Sequence, residues 1–165
     1  MAELAAYEKD LIANVEKHGW QATHVFDPDG DAPGFTYSIG FPHTLNCPDF
    51  IIFGLPSNLM HSMFWEIFRQ IKDGNKPGDG TKWEGLLEGD FVCISRLVHA
   101  DNSGSNYFNS ARWFHQHDGG DAKKMSFMQL FWPGAQNNLY PWDEGCGDDL
   151  IKAQPLLYEP GHDYG

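Results

Sequence analysis

The chain has 165 residues, of which 23 are acidic and 11 are basic, so its formal net charge is −12. A chain of this length fits one domain that buries a hydrophobic core of its own. The acidic excess argues against binding to nucleic acid phosphates or to anionic membrane surfaces, and it favours a basic protein as partner.

The N-terminal segment predicts a helix that ends near Gly19, a residue type common at helix ends. Its apolar residues recur at spacings of three and four: Leu4, Tyr7, Leu11, Ile12 and Val15. Charged residues interrupt the segment, unlike a secretion signal, and no stretch of the chain reaches the roughly 20 apolar residues of a membrane span. We therefore expect a cytoplasmic protein without membrane attachment.

Two strands joined by a tight turn follow the first helix. Residues 20–26 predict a strand, and the sequence DPDG at 27–30 favours a reversal because proline restricts φ and glycine permits the turn. Residues 35–41 alternate apolar and polar side chains, as in a half-buried strand. Residues 50–55 are almost wholly apolar, which is typical of a strand covered on both faces. The segment 35–55 is therefore the predicted centre of a sheet.

The clearest helix is predicted over residues 59–72. Its apolar face consists of Met60, Met63, Phe64, Ile67, Phe68 and Ile71. The glycine- and proline-rich residues 74–82 predict a mobile loop. Residues 91–98 and 125–132 predict two more strands, and residues 101–117 predict a third, short helix. Together these elements predict an α+β fold, a single domain in which two or three helices pack a mainly antiparallel sheet of about five strands.

The histidine and cysteine residues do not define a catalytic or metal site. His115 and His117 have no third ligand at a recognised spacing. A nucleophile and base can be drawn from Cys47 with His43, or with His61, but no known cysteine signature surrounds Cys47. The three cysteines are far apart, and we expect reduced thiols. We predict no metal and no cofactor, and we assign no catalytic residue, so the question of an enzymatic activity stays open.

The C-terminal part combines aromatic, proline and acidic residues. Its large aromatic residues are Trp132, Tyr140 and Trp142. Aromatic residues of this kind are enriched in protein interfaces, and the alternative is that they close the open end of the core. Four carboxylates follow, at Asp143, Glu144, Asp148 and Asp149. They lack the ligand pattern of a calcium loop and indicate a solvated acidic end.

Five short motifs follow one another along the chain. They are HGW at 18–20 with Val25, FTYSIG at 35–40, PD at 48–49 with IFGLP at 52–56, Tyr107 with WF at 113–114, and QLFWP at 129–133 with PW at 141–142. In this order they resemble the bacterial family catalogued as domain of unknown function 4262. The resemblance covers residues 20–142, so the domain 1–165 divides into an N-terminal helix at 1–19, this family-like region and an acidic tail at 143–165.

The chain departs from the pattern of that family at four positions. The family more often has threonine at Ser38, leucine at Phe41, glutamate at Asp49 and aspartate at Gly134. The resemblance implies a fold group and a bacterial setting, and it brings no catalytic residues with it.

Two hypotheses of function follow from these observations. The first is a small acidic binding protein that covers a basic partner, such as an immunity protein that neutralises a basic, toxin-like protein. Its binding residues are predicted to be Trp132, Tyr140, Trp142, Asp143, Asp148 and Asp149. The second is a small-molecule-binding protein or enzyme. Its pocket is predicted around Tyr37, Ser38, Tyr107 and Arg112.

Overall fold

A six-stranded mixed sheet forms the centre of the structure, a computed structural model that describes residues 3–161. The strands are β1 (Gln21–Val25), β2 (Phe35–Ile39), β3 (Asp49–Phe53), β4 (Lys82–Trp83), β5 (Cys93–Leu97) and β6 (Phe127–Phe131). The α-helices are α1 (Ala6–His18), α2 (Phe41–Leu45), α3 (Ser57–Lys72), α4 (Ser105–His117) and α5 (Asp148–Ala153). The predicted α+β class is confirmed.

The strands lie in the order β1-β2-β3-β6-β5-β4, and every pair of neighbours is antiparallel except β3 and β6. The predicted hairpin of β1 and β2 and the mainly antiparallel character are confirmed. The sheet has one strand more than predicted, because β4 pairs with β5 at the end of the glycine-rich segment. Two residues are too few to show the alternation that identifies a strand.

Both faces of the sheet are covered by helices. Since side chains alternate along a strand, Phe50 and Ile52 of β3 pack with α3, whereas Ile51 and Phe53 pack in the core on the side of α1 and α4. All five residues of β3 are buried. The apolar sequence predicts this for residues 50–53, but not for Asp49. The helices expected to pack the sheet, α1 and α3, therefore lie on opposite faces.

The apolar face of α3 packs as its periodicity predicts. Its fully or nearly fully buried residues are Met60, Met63, Phe64, Ile67 and Phe68. Ile71 is only partly buried at the end of the helix. No helix in the described part of the chain is both long and apolar enough to cross a bilayer.

A glycine connects α1 to β1. Gly19 has a φ of 91°, its N–H donates to the carbonyl of Val15 at 2.8 Å, and a Cβ at this position would lie 2.8 Å from the ring of Phe68. Only glycine adopts this backbone conformation readily and leaves the needed space. The tight turn brings Trp20, which directly follows, into the α3 core, where it is 2% exposed.

A second glycine ends β2 earlier than expected. The alternation predicts a strand to Phe41, but Gly40 has a φ of 101°, and α2 begins directly after it. A Cβ on Gly40 would lie 2.9 Å from the side chain of Val15 in α1. The turn therefore depends on glycine for both its conformation and its packing.

The C-terminal segment packs against the sheet through residues 154–158, and the last described residue is Gly161. Gln129 of β6 donates to the carbonyl of Pro155 at 2.7 Å and accepts from the N–H of Leu157 at 3.0 Å. Leu157 is fully buried. The segment expected to be a solvated tail thus contains α5 and a stretch that closes the core, and its residues 162–165 lie outside the described part.

Candidate functional site

Among the residues predicted to form a small-molecule pocket, the sheet separates Ser38 from Tyr37 and Tyr107. Tyr37 and Ser38 are neighbours on β2, so their side chains lie on opposite faces. Tyr37 is 3% exposed, and its hydroxyl accepts a hydrogen bond from the N–H of Ser110 in α4 at 3.1 Å. Tyr107 packs on the same face, against the rings of Phe35 and Phe53.

Arg112 has internal partners as well. Its Nη1 donates to the carbonyls of Ser103 and Ala122, each at 3.0 Å, and so joins the segments on either side of α4. None of the four residues predicted for this pocket lines either of the two cavities described below. The pocket around Tyr37 and Arg112 stays a prediction.

The C-terminal aromatic residues form a cluster at one end of the sheet. Tyr140 and Trp142 stack with ring centroids 5.1 Å apart and nearly parallel planes. Phe131 meets Trp142 edge-on, and the guanidinium of Arg96 lies 5.4 Å from the centre of Trp142 and 4.0 Å from the centre of Tyr158. Trp142 is half-buried within these contacts. The cluster fits the structural interpretation of these aromatic residues, in which they close the end of the core.

Trp132 contributes instead to an open cavity of about 390 Å³ near the start of α3, which we call the apolar groove. Its apolar lining includes Leu55, Leu59, Leu87, Phe91, Trp132 and Pro133. The indole N–H of Trp132 donates to the carbonyl of Phe53 at 2.8 Å, and Gln154 bonds both backbone groups of Trp132 at 3.0 Å. Trp132 is therefore fixed in place, and its half-buried ring forms a rigid wall.

The predicted acidic residues lie on two segments near this groove. Hydrogen bonds connect each segment to the residues that line the groove or to their neighbours. Asp148 and Asp149 are exposed in the first turn of α5, the helix that leads into Gln154. Asp143 accepts from the N–H of Tyr140 at 2.9 Å, and the hydroxyl of Tyr140 donates to the carbonyl of Val92, next to Phe91. Another carboxylate, that of Glu88, lines the groove itself.

A second cavity of about 340 Å³ lies where α1, β1 and α3 meet, and we call it the histidine–tryptophan pocket. Its lining includes Asn14, His18, Trp20, His24, His61 and Trp65. Trp20 forms the buried floor, with ring centroids 5.4 Å from His61 and 5.1 Å from Trp65, both in edge-to-face geometry. The three histidines are exposed at the rim.

Some polar groups of this pocket have hydrogen-bond partners, and one buried group has none. His24 Nδ1 lies 2.6 Å from the hydroxyl of Thr36, and Asn14 donates to Gln21 at 2.7 Å. The Nε1 of Trp20 is buried without a hydrogen-bond partner, alone in this among the side-chain nitrogens and oxygens of the described residues. Burial, and then repulsion from His61, lower the pKa of His24.

A carboxylate is buried near the start of α2. Asp49 is 1% exposed and accepts from the hydroxyl of Ser38 at 2.8 Å and from the N–H of Phe41 at 3.0 Å. Burial raises the pKa of Asp49 to about 7, although these donors favour the ionised form. Asp49 is almost inaccessible to solvent, and its hydrogen bonds connect β2, α2 and β3.

The geometry gives no activated nucleophile at Cys47. Burial, and then the charge of Asp49, raise the pKa of the Cys47 thiol to about 12, so the thiol is protonated at neutral pH. His43 Nδ1 lies 2.8 Å from a carboxylate oxygen of Asp118. All three cysteines are free thiols. Within residues 3–161 no three histidine, cysteine or acidic side chains form a group that could hold a metal ion.

The sequence analysis missed most residues of both cavities. His61 and Trp65 are four apart on α3, off its buried stripe, and this spacing places two side chains next to each other on a helix. The sequence therefore contained a signal for this pair. Asn14 and His24 line the same pocket only because α1 and β1 pack beside α3, and no local sequence pattern predicts that packing.

Comparison with known proteins gives one match. A family model described as "Domain of unknown function (DUF4262)" matches residues 14–147. No curated protein and no solved structure gives a significant match. The matched range contains every lining residue of the apolar groove and of the histidine–tryptophan pocket.

Proposed function

Because the chain belongs to the DUF4262 family, whose description assigns no activity, we propose its function from its own surface: it binds a basic protein. An apolar side chain of this partner enters the apolar groove, and lysine or arginine side chains meet the surrounding carboxylates. An immunity protein that covers a basic, toxin-like protein is the specific form of this proposal.

The observation on which the proposal rests is the open apolar groove. It is lined by half-buried leucines and by the ring of Trp132, whose indole and backbone are both held by hydrogen bonds. Filling it with one leucine- or phenylalanine-sized side chain would contribute about 1.5 to 3 kcal/mol. Rigid aromatic walls of this kind are typical of the residues that dominate binding energy in interfaces.

The charge of the chain supports a basic partner over a neutral one. The net charge is −12, and among the described residues lysine and arginine form ion pairs only with Glu66 and Asp79. Glu88 lines the groove, and Asp148 and Asp149 are exposed on the helix attached to it. Carboxylates placed around an apolar contact accelerate the association of a cationic partner and disfavour an anionic one.

A paired substitution tests the groove. The partner to use is the basic protein encoded beside the gene for this chain, with affinity measured by calorimetry. Phe91→Glu places a charge in the groove, and Phe26→Glu makes the same change at a phenylalanine that is 64% exposed and outside the groove. We expect Phe91→Glu to weaken binding at least about tenfold and Phe26→Glu to leave it unchanged.

Two outcomes would contradict the proposal. One is that the wild-type chain does not bind the basic protein at micromolar concentration. The other is that both variants bind as tightly as wild type while melting at the wild-type temperature.

A further inference from the structure

We propose that the histidine–tryptophan pocket binds a small aromatic carboxylate. The cavity of about 340 Å³ lies within the range of small-molecule sites and exceeds the roughly 150 Å³ that accommodates benzene in an engineered cavity. It therefore has room for one aromatic ring and a short acidic chain. This site is distinct from the apolar groove, since the two cavities share no lining residue.

The lining of the pocket is rich in hydrogen-bond donors. It contains two indole N–H groups, two side-chain amides and three imidazoles, and no aspartate or glutamate. In a chain with a net charge of −12, a cavity without a carboxylate is a place where an anion meets little direct repulsion. Arg69 lines a neighbouring hollow together with Trp65, and its Nε lies 3.5 Å from a carboxylate oxygen of Glu66.

The rings favour an anion over a cation. A cation binds to an open aromatic face, but Trp20 is 2% exposed because Phe64, Phe68, His61 and Trp65 surround it. What Trp20 retains is a buried N–H without an acceptor. An oxygen that reached it would supply the missing hydrogen bond.

Two of the three histidines of the rim, His24 and His61, complete the anion site. Their ring centroids are 5.9 Å apart, close enough for one carboxylate to contact both. His24 uses Nδ1 in its contact with Thr36, which leaves Nε2 for a ligand. A carboxylate between the rings would favour a protonated imidazole and offset the repulsion between the two histidines.

Matched ligands and matched variants test this proposal. Phenylacetate and phenethylamine have the same ring and opposite charge, and their binding can be followed by tryptophan fluorescence and calorimetry at about pH 6.5, the ordinary pKa of histidine. We expect saturable binding of phenylacetate and at least about tenfold weaker binding of phenethylamine. Equal affinity for both, or no saturable binding of phenylacetate, would overturn the proposal.

The variants locate the site. His61→Ala removes one of the two anion-binding rings from an exposed position, and His117→Ala removes an exposed histidine that also contacts a tryptophan, Trp113, at 5.1 Å. We expect His61→Ala to weaken phenylacetate binding at least about tenfold, His61→Gln to restore part of it through its amide, and His117→Ala to have no effect. Equal losses in His61→Ala and His117→Ala, with wild-type melting temperatures, would place the ligand elsewhere.

Discussion

Ser38 and Asp49 are joined by a buried hydrogen bond of 2.8 Å between the serine hydroxyl and one carboxylate oxygen. The same hydroxyl accepts from the N–H of Phe50 at 2.9 Å, and the carboxylate accepts from the N–H of Phe41. These bonds connect β2, β3 and the start of α2. Neither side chain is more than 1% exposed, so the stability of this link depends on the protonation of Asp49.

We expect the contribution of Asp49 to the stability of the protein to decrease as the pH rises from about 4 to about 7. The pKa of Asp49 is raised from 3.8 to about 7 in the folded protein, so the folded state binds more protons than the unfolded state in this window. The free energy of unfolding contributed by this group is therefore greatest below pH 4 and is lost as the pH passes 7. Asp49→Asn keeps an acceptor and removes the titration, so it should flatten this dependence.

Urea unfolding of both proteins at about pH 5 and pH 8 measures the effect. Asp148→Asn, a change at an exposed carboxylate, is the control and should retain the wild-type dependence on pH. A dependence that is identical in wild type and Asp49→Asn would show that the buried carboxyl group does not titrate in this range.

Ile67→Asp should destabilise the protein by several kcal/mol, because it buries an unpaired carboxylate in the middle of α3. Ile67 is fully buried. Glu66→Ala is the control on the next residue, and it removes only an ion pair of 3.5 Å with Arg69 that is worth little in water. Chemical denaturation should separate the two variants clearly. Equal unfolding free energies would contradict the packing of α3 on the sheet.

Trp142→Ala should lower the stability by about 1 to 3 kcal/mol. The ring is half-buried and contacts Tyr140, Phe131 and Arg96, so its removal opens a gap that the neighbours fill only in part. Thermal unfolding measures the loss. Trp113→Ala, which removes a half-buried ring stacked on His117, is the comparison and should cost less. A wild-type melting temperature for Trp142→Ala would favour a binding role for Trp142 over a structural one.

Association with the proposed basic partner should slow steeply between about 50 and 500 mM salt, because the carboxylates that steer it are screened. Replacing Asp148 and Asp149 together by asparagine should lower the on-rate and should change the off-rate by a smaller factor. Replacing Asp29 and Asp31 in the β1–β2 turn removes the same charge at exposed positions outside the groove. Surface plasmon resonance measures the on-rate and off-rate of both double variants. Equal effects on the on-rate would indicate that net charge alone steers the partner.

Local patterns were sufficient to predict α1, α3, β3 and the β1–β2 hairpin. The spacing of apolar residues predicted both helices, the apolar run predicted β3 and the turn motif predicted the hairpin. The structure buries the predicted face of α3, but on α1 it buries Leu11 and Val15 and leaves Tyr7 exposed. The same reasoning extended β2 to Phe41, because the sequence alternates through Gly40 without showing that the backbone turns there. It also missed β4, since two residues carry no period.

The amino-acid sequence by itself determined the α+β class, the positions of the main helices and strands and the strongly acidic charge, because these depend on composition and on neighbours within a few residues. Only the tertiary structure decided that β3 and β6 pair in parallel and that His24 and His61 share one cavity. These are contacts between elements distant in the chain. Their partners are selected by the packing of whole helices on a twisted sheet, which leaves no periodic trace in the sequence.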